Sequence, residues 1–342
     1  MFIKKWSGIL AVILALAMAG CASVHEPAKA SATSKAALEK VPADKDHDIS
    51  VYYTNGKVVH GAEAMQQMAN AKLVLWLAGN QFFAMPEVIE TFQKAHPEVD
   101  SVGLITLPPG LILNAINKGG WNYEGMDYPL SPDIYASVNL GHLQTLKDKG
   151  RMDSYMVYLH NRLELEVAEG NPKKIKGLSD LMKPDVRVML PNPITEGIMT
   201  FYIKKVLINH DMWQELSGGK ECKSCQATPR VYFTSVHHRE IPEGLSEGTA
   251  DVGIAWASEI ANARKQGLRI EGVALSDEDS LVNEVAYVTG SLEKARNASA
   301  AQAYLAFLRT QAAQDAYAQH GFIRAKADEL ALKPIPPKVA EK

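Results

Sequence analysis

Residues 72–97 read KLVLWLAGNQFFAMPEVIETFQKAHP. The apolar run LVLWLA is typical of a strand that is buried on both faces of a sheet. The residues GNQ interrupt this run, and the amphipathic segment that follows ends at Pro97, as a helix would. The segment therefore predicts a strand, a loop and a helix in succession, which is the repeating unit of a parallel sheet covered by helices.

The same alternation continues along the chain and then starts again. The run VGLITL at 102–107 meets the turn PPG and the helical segment LILNAINKGG, and SPDIYAS at 131–137 has the pattern of a third strand. The alternation restarts with VRVMLPNP at 186–193 and continues with ADVGIAW at 250–256, each followed by a helical segment. We therefore expect two α/β lobes, with ligands bound by loops at the carboxyl ends of the strands.

The composition is that of a folded globular protein. Of the 342 residues, 46% are hydrophobic and 22% are charged, which is too apolar a composition for a disordered chain. The length suggests about two domains. The net charge of −3 lacks the basic excess that nucleic-acid binding needs, so no nucleic-acid partner is expected.

The first part of the chain predicts an export signal and a tether. Residues 1–20 carry two early lysines, a short apolar run and small residues before Cys21, which is the layout of a signal peptide. The ending Ala-Gly-Cys resembles the bacterial lipobox, which implies lipidation of Cys21; an ordinary cleaved signal is the alternative. Residues 21–47 have almost no large apolar side chains and predict a flexible tether. We expect an exported protein of the periplasm or cell envelope, held at the membrane through a lipid on Cys21.

Residues 48–71 predict a short N-terminal extension made of a hairpin and a helix. Two β-rich runs flank Asn55 and Gly56, a pair that tolerates the positive φ of a tight turn. The segment AEAMQQMANA then has helical character. The sequence assigns no function to this extension.

Several segments between residues 72 and 330 match a known family in order and spacing. They are WLAGNQFFAMPEVIETFQ, LPPGLILNAINKGG, SPDIYASVN, MLPNPITEGIMTF, GTADVGIAWASEI, NEVAYVTG and AAQDAYAQHGF. In these segments the chain resembles the type II periplasmic solute-binding proteins of ABC importers, in particular the molybdate-binding branch. The resemblance implies an α/β, two-lobed periplasmic-binding-protein-like fold, with mixed sheets flanked by helices and two crossover hinge segments.

The resemblance also implies the limits of the lobes and a function. Lobe 1 would comprise residues 72–162 and 285–331, lobe 2 would comprise residues 163–284, and residues 332–342 would form a tail. Such a protein is a monomer without a cofactor that captures a small anion between its lobes and then docks on the permease of an ABC importer. Here the anion would be an inorganic oxyanion or a metabolite that carries a carboxylate or a phosphate.

Three loops place polar or glycine residues directly before a helix, at 79–81, 108–110 and 194–197. The N–H groups at a helix start lack intrahelical partners and favour anions. Asn80 aligns with a serine that holds the oxyanion in molybdate binders, which implies a ligand contact; the alternative is that Asn80 caps the next helix. Gly110 aligns near a second such serine and would offer only its backbone N–H, or it is simply a turn glycine.

The third loop supplies two further predicted ligand contacts, Thr195 and Gly197. Glu196 lies between them, and its carboxylate would repel a dianion unless it is paired or faces away. Either Glu196 is a surface residue, or the ligand carries hydrogen-bond donors or positive charge.

Residues 236–240, VHHRE, form the most distinctive polar cluster. An arginine can grip an oxyanion with two parallel N–H bonds, so we predict that Arg239 contacts the ligand; the alternative is a surface ion pair with Glu240. His237 and His238 are candidate ligand contacts, and adjacent residues on a strand point to opposite faces, so only one of them would reach the cleft.

Two aromatic residues complete the predicted site. Trp256 aligns with a tyrosine that closes the molybdate pocket, and the alternative is that it packs in the core at the end of a buried strand. Tyr287 lies on the second implied crossover and is a further candidate.

Cys222 and Cys225 form a CxxC pair in a loop rich in Gly, Lys and Ser. In an exported chain we expect a local disulfide between them. The alternative is a zinc site in which both cysteines act with His237 and His238.

The sequence contains no nucleophile elbow, Walker loop, dinucleotide fingerprint or HExxH motif, so we expect a binding protein and not an enzyme. Two rival functions stay open. One is a metal or metal-complex binding or sensing protein that uses the Cys/His cluster. The other is a ligand-sensing partner of an envelope signalling protein.

Overall fold

The structure is a computed structural model that describes residues 37–41, 48–235 and 238–338, with only the backbone of His238. The predicted signal peptide, the predicted lipidation site Cys21, most of the predicted tether and His237 lie outside the described residues.

Strands and short helices alternate along the described residues. The strands are β1 Glu39–Lys40, β2 Ile49–Tyr53, β3 Val58–His60, β4 Leu73–Ala78, β5 Ser101–Leu107, β6 Trp121–Tyr123, β7 Met126–Tyr128, β8 Ile134–Ser137, β9 Ser154–His160, β10 Leu163–Ala168, β11 Val188–Leu190, β12 Cys225–Thr228, β13 Val231–Phe233, β14 Val252–Trp256, β15 Ile270–Ala274, β16 Ala286–Ser291, β17 Ile323–Arg324 and β18 Lys333–Pro334. The helices are α1 Gly61–Met68, α2 Met85–Ala95, α3 Pro109–Lys118, α4 Leu140–Asp148, α5 Lys204–Asn209, α6 Trp213–Ser217, α7 Ile241–Ser246, α8 Ala257–Lys265, α9 Ala298–Leu308 and α10 Gln311–Ala318. Single turns of 3₁₀ helix occur at Gly79–Gln81, Leu178–Met182 and His238–Glu240, and a π-helical turn at Met199–Ile203 precedes α5.

The larger sheet has the strand order β17-β9-β16-β8-β4-β5-β2-β3, with β18 paired to β9. Strand β4 lies in its centre, parallel to both β5 and β8, and all six of its residues are buried. This position explains why the sequence of β4 is apolar throughout rather than alternating, because a strand covered on both faces has no polar side. We call the part of the chain built on this sheet lobe 1.

The smaller sheet has the strand order β12-β13-β11-β14-β10-β15, and we call the part built on it lobe 2. Strand β11 lies parallel to β13 and to β14, whereas β10 and β15 run antiparallel to their neighbours. Its strands come from residues 163–274, and those of the larger sheet from residues 49–160 and 286–334. The predicted fold class, two lobes of mixed sheet flanked by helices, is confirmed.

The N-terminal hairpin is present and is part of the larger sheet. Strands β2 and β3 pair through a turn in which Gly56 has a φ of 81°, and β2 also pairs antiparallel with β5. Helix α1 packs on this edge through buried Met65 and Met68. A Cβ at Gly103 in β5 would lie 2.8 Å from the Met68 side chain, so a glycine is needed for this close approach. Residues 48–71 therefore extend the sheet of lobe 1.

Cys222 and Cys225 are joined by a disulfide at the start of β12. The sulfur atoms are bonded to each other and are not available as thiolate ligands for the zinc site considered above. Within the described part of the chain, no group of three or more His, Cys, Asp or Glu side chains is placed to hold a metal ion. No helix among the same residues is long and apolar enough to cross a membrane.

Candidate functional site

A small cavity of about 30 Å³ lies between the two lobes. On one side it meets the residues that follow the parallel strands β4, β5 and β8, and on the other side the residues that follow β11, β13 and β14. It is lined by Ala78, Gly79, Asn80, Pro108, Pro109, Val138, Glu196, Gly197, Ile198, Arg239 and Trp256. The carboxyl ends of both sets of parallel strands therefore meet at one place, where open α/β sheets bind their ligands.

Lobe 2 presents the start of a helix to this cavity. Helical turns begin at Gly197 and continue through the π-helical turn into α5. The side-chain oxygen of buried Asn192 holds the preceding loop, because it accepts hydrogen bonds from the N–H of Ile194 at 3.1 Å and of Thr195 at 2.8 Å. Gly197 and Ile198 line the cavity, and N–H groups in the first turn of a helix bind anions well.

Asn192 was not identified from the sequence. Its signal is the run Pro-Asn-Pro ahead of the helix, since an asparagine in such a turn accepts bonds from the N–H groups that follow it.

Arg239 reaches across the cleft from lobe 2 to lobe 1. Its guanidinium lies 3.1 Å from Oδ1 of Asp48 and 2.5 Å from the carbonyl oxygen of Gly79, to both of which it donates hydrogen bonds. The same group lies 3.8 Å from the centre of the Phe82 ring, which is a cation–π distance. The side chain is only 11% exposed, so Arg239 lies in the cleft and not at the surface.

Asn80 lines the cavity from the 3₁₀ turn that follows β4. It does not cap the next helix, since the residue at the N-cap of α2 is Ala84. Its side-chain nitrogen donates a hydrogen bond to the hydroxyl of Tyr287, which lies behind it and is fully buried. Burial raises the pKa of Tyr287 far above its ordinary value, so the hydroxyl keeps its proton.

Trp256 and Glu196 both contact the cavity. The Trp256 side chain is buried at the end of β14, and its ring packs 5.4 Å from Tyr202 and 6.5 Å from Tyr287. Trp256 thus both lines the cavity and packs in the core, which were considered above as alternatives. Glu196 is only 3% exposed, so the surface alternative is wrong for this residue. Glu196 and Arg239 line the same small space, so the positive charge of Arg239 lies near the carboxylate that would otherwise repel a dianion.

The structure does not bring every predicted residue to the cavity. Gly110 lies exposed in the first turn of α3, and its neighbours Pro108 and Pro109 form the wall instead. Thr195 faces Asn192, to which it donates its hydroxyl at 3.0 Å. His238 is in the 3₁₀ turn directly before Arg239, and His237 lies outside the described residues.

The wall at Pro109 is fixed by a buried cluster around His142. The hydroxyl of Tyr135 donates to the Pro109 carbonyl at 2.8 Å, and Nδ1 of His142 lies 3.0 Å from the Ser137 hydroxyl. Burial lowers the pKa of His142 to about 4, so the imidazole is neutral in the folded protein at neutral pH.

This cluster predicts a specific pH dependence of stability. In the unfolded chain a histidine titrates near its ordinary pKa of about 6.5. Between about pH 6.5 and pH 4, His142 is therefore protonated in the unfolded state and neutral in the folded state. The free energy of unfolding should therefore fall as the pH falls, by up to about 1.4 kcal/mol per pH unit from this residue. Urea unfolding at several pH values should show a smaller fall in His142→Gln than in the parent protein. Equal falls in the free energy of unfolding of the two proteins would show that His142 does not cause this pH dependence.

Comparison with known proteins identifies the family. The profile described as "Bacterial extracellular solute-binding protein" matches residues 73–323. A sulfate-binding protein of Synechococcus elongatus is 27% identical over 195 residues, which cover 54% of this chain and 54% of that one. A thiosulfate-binding protein of Escherichia coli is 26% identical over 201 residues, covering 54% of this chain and 59% of that one. The chain thus spans about half the length of the curated relatives it matches.

Solved structures show the same fold at lower identity. The molybdate-binding protein of Azotobacter vinelandii superposes with a TM-score of 0.58 at 13% identity, covering 74% of this chain and 100% of that chain. A sulfate-binding protein of Mycobacterium tuberculosis superposes with a TM-score of 0.56 at 17% identity, covering 75% of this chain and 88% of that chain. The predicted resemblance to bacterial solute-binding proteins is confirmed, and the solved structures confirm the fold. With a family profile that matches strands of both sheets, the chain belongs to the bacterial extracellular solute-binding proteins, which bind their ligands and are not enzymes.

Proposed function

We propose that this protein captures a small inorganic oxyanion of the sulfate, thiosulfate or molybdate kind between its lobes and delivers it to the permease of an ABC importer. The observation that carries the proposal is the cavity at the carboxyl ends of both sets of parallel strands, where the helix start at Gly197 meets Arg239 and Asn80. The names of the sulfate- and thiosulfate-binding relatives support the same class of ligand.

The size of the cavity favours an inorganic ion over a metabolite. Pockets for drug-sized ligands usually measure about 300–1,000 Å³, and this cavity measures about 30 Å³. A compact tetrahedral ion can be surrounded by helix N–H groups, an amide and a guanidinium in so small a space. A ligand with a carbon skeleton would have to push the lobes apart.

Capture works through closure of the lobes. A ligand that contacts both lobes stabilises the closed form by the difference between its affinities for the closed and open forms. Asn80 and Pro109 would hold it from lobe 1, and Gly197, Arg239 and Trp256 from lobe 2. The permease would then recognise the closed protein, and no covalent chemistry takes place.

We also propose that the protein works as a monomer anchored to the membrane through a lipid on Cys21. The arrangement Ala-Gly-Cys at the end of the signal-like segment supports this anchor. Metabolic labelling with a fatty acid should mark the parent protein and should fail to mark Cys21→Ser; label on both would contradict the anchor.

Calorimetric titration and thermal unfolding of the whole protein test the proposed ligand class. The panel contains sulfate, thiosulfate, molybdate, hydrogen phosphate, citrate and zinc. A ligand at about 100 times its dissociation constant adds about 2.7 kcal/mol to the free energy of unfolding, which gives a clear shift. We expect binding of one inorganic oxyanion or more, and no binding of citrate. Binding of citrate or zinc alone, or of nothing in the panel, would overturn the proposal.

A further inference from the structure

A buried chain of hydrogen bonds links the ligand-facing Asn80 to the point where the backbone passes from lobe 1 to lobe 2. It starts at Asn161, between β9 and β10. The side-chain oxygen of Asn161 accepts from the N–H of Arg162 at 2.9 Å. Its side-chain nitrogen donates to the Ser258 hydroxyl at 2.8 Å and to the Tyr287 hydroxyl at 3.1 Å. These bonds fix the orientation of the amide, because turning it round would set its NH₂ against the N–H of Arg162.

The orientation of the Asn161 amide determines where the Tyr287 hydroxyl accepts a hydrogen bond and where it must donate one. This oxygen accepts a hydrogen bond from Asn161, is 0% exposed and keeps its own proton. Among the described residues, its one other hydrogen-bond partner is the Asn80 amide. A buried hydroxyl proton without an acceptor is unfavourable. The structure sets the Asn80 side-chain nitrogen against this hydroxyl, which leaves the hydroxyl proton without an acceptor among these residues. Exchanging the oxygen and nitrogen of the Asn80 amide lets Tyr287 donate to the amide oxygen.

The hydrogen bond to Tyr287 decides which amide atom of Asn80 faces the ligand. The oxygen and nitrogen of an amide have nearly the same shape, so the hydrogen-bond network decides which of them faces which neighbour. In the exchanged orientation, the Asn80 oxygen accepts from Tyr287 and its NH₂ faces the cavity that the residue lines. At this position the ligand meets a donor and not an acceptor.

We propose that Tyr287, itself oriented by Asn161, is a positioning residue that fixes Asn80 with its NH₂ towards the anion. The proposal rests on the proposed function, since it assigns a role within the same oxyanion site. Without the Tyr287 hydroxyl, the Asn80 amide can rotate and present its oxygen to the ligand. That oxygen repels a fully ionised oxyanion but can accept a hydrogen bond from an ion that carries a proton.

The test is a set of affinities for sulfate and hydrogen phosphate, two tetrahedral dianions of similar size of which only hydrogen phosphate carries a proton. Tyr287→Phe should weaken sulfate binding about tenfold and lower the preference for sulfate over hydrogen phosphate. The matched control is Tyr304→Phe, which removes a buried hydroxyl from helix α9, outside the residues that line the cavity. This variant should keep both the affinity and the preference of the parent protein.

A double-mutant cycle separates positioning from a merely structural role. In an Asn80→Ala background there is no amide to orient, so Tyr287→Phe should change sulfate affinity by less than about twofold. An equal loss in both backgrounds, or an unchanged preference in Tyr287→Phe, would overturn the proposal. If the parent protein binds no oxyanion at all, the proposed function itself has failed, which is a different result.

Discussion

Replacing Arg239 with alanine should weaken oxyanion binding by about a hundredfold or more. Hydrogen bonds to a charged group contribute about 1.5–3 kcal/mol each, and about 2.7 kcal/mol corresponds to a hundredfold change in affinity. The guanidinium lies in the cleft, largely shielded from water; Asp48 offsets part of its charge, and solvent and salt screen the remainder little. Calorimetric titration with sulfate at fixed ionic strength measures the effect.

The matched control for this prediction is Arg269→Ala. Arg269 belongs to the same lobe and carries the same charge, but its side chain is 83% exposed and pairs with Glu169 at the surface. The control should leave affinity within about twofold of the parent value, because surface charges are screened by solvent and salt. Equal losses of affinity in the two variants would mean that only the net charge of the protein matters. Arg239 would then not be a ligand contact.

Replacing Trp256 with alanine should lower the free energy of unfolding by about 3–5 kcal/mol. The indole is buried at the end of β14 between Tyr202 and Tyr287, so its removal leaves a void that the surrounding rings cannot fill. Urea unfolding followed by circular dichroism measures the change. Trp256→Phe should cost less, because a phenyl ring refills part of the space.

The control for Trp256 is Trp213→Ala in the same lobe. Trp213 is only partly buried and packs against Phe233 and the amino group of Lys204. Its removal should cost less than the removal of Trp256, since less apolar surface returns to water. A larger loss at Trp213 would show that the end of β14 is not the well-packed wall described here.

The sequence predicted those parts of the fold that depend on local patterns. The apolar run of β4, the turn at Asn55-Gly56 and the alternation of strands and helices are all local, and each is present in the structure. The pairing of β2 with β5 could not be predicted, because its partners, such as Val51 and Gly103, lie about fifty residues apart. Alternating side chains show that a strand exists but not which strand it pairs with.

The same limit applies to the candidate site. Loops that end a strand and begin a helix pointed to Asn80 and Gly197, because strand ends and helix starts leave a signal in the local sequence. They pointed equally to Gly110 and Thr195, since polarity does not tell which side of a turn faces the cleft. The lobe 1 groups that hold Arg239, including Asp48, come from distant parts of the chain and have no signal near residue 239.

Binding of an oxyanion between the lobes can be tested with a crystal structure of the protein grown with selenate. Selenate has the shape and charge of sulfate, and its selenium gives an anomalous signal that locates the ion without a model of the site. We expect one strong peak between the lobes, about 3 Å from both the Asn80 amide and the N–H of Gly197, with the guanidinium of Arg239 beside it. Selenate bound only at the outer surface, with the cavity between the lobes empty, would contradict it.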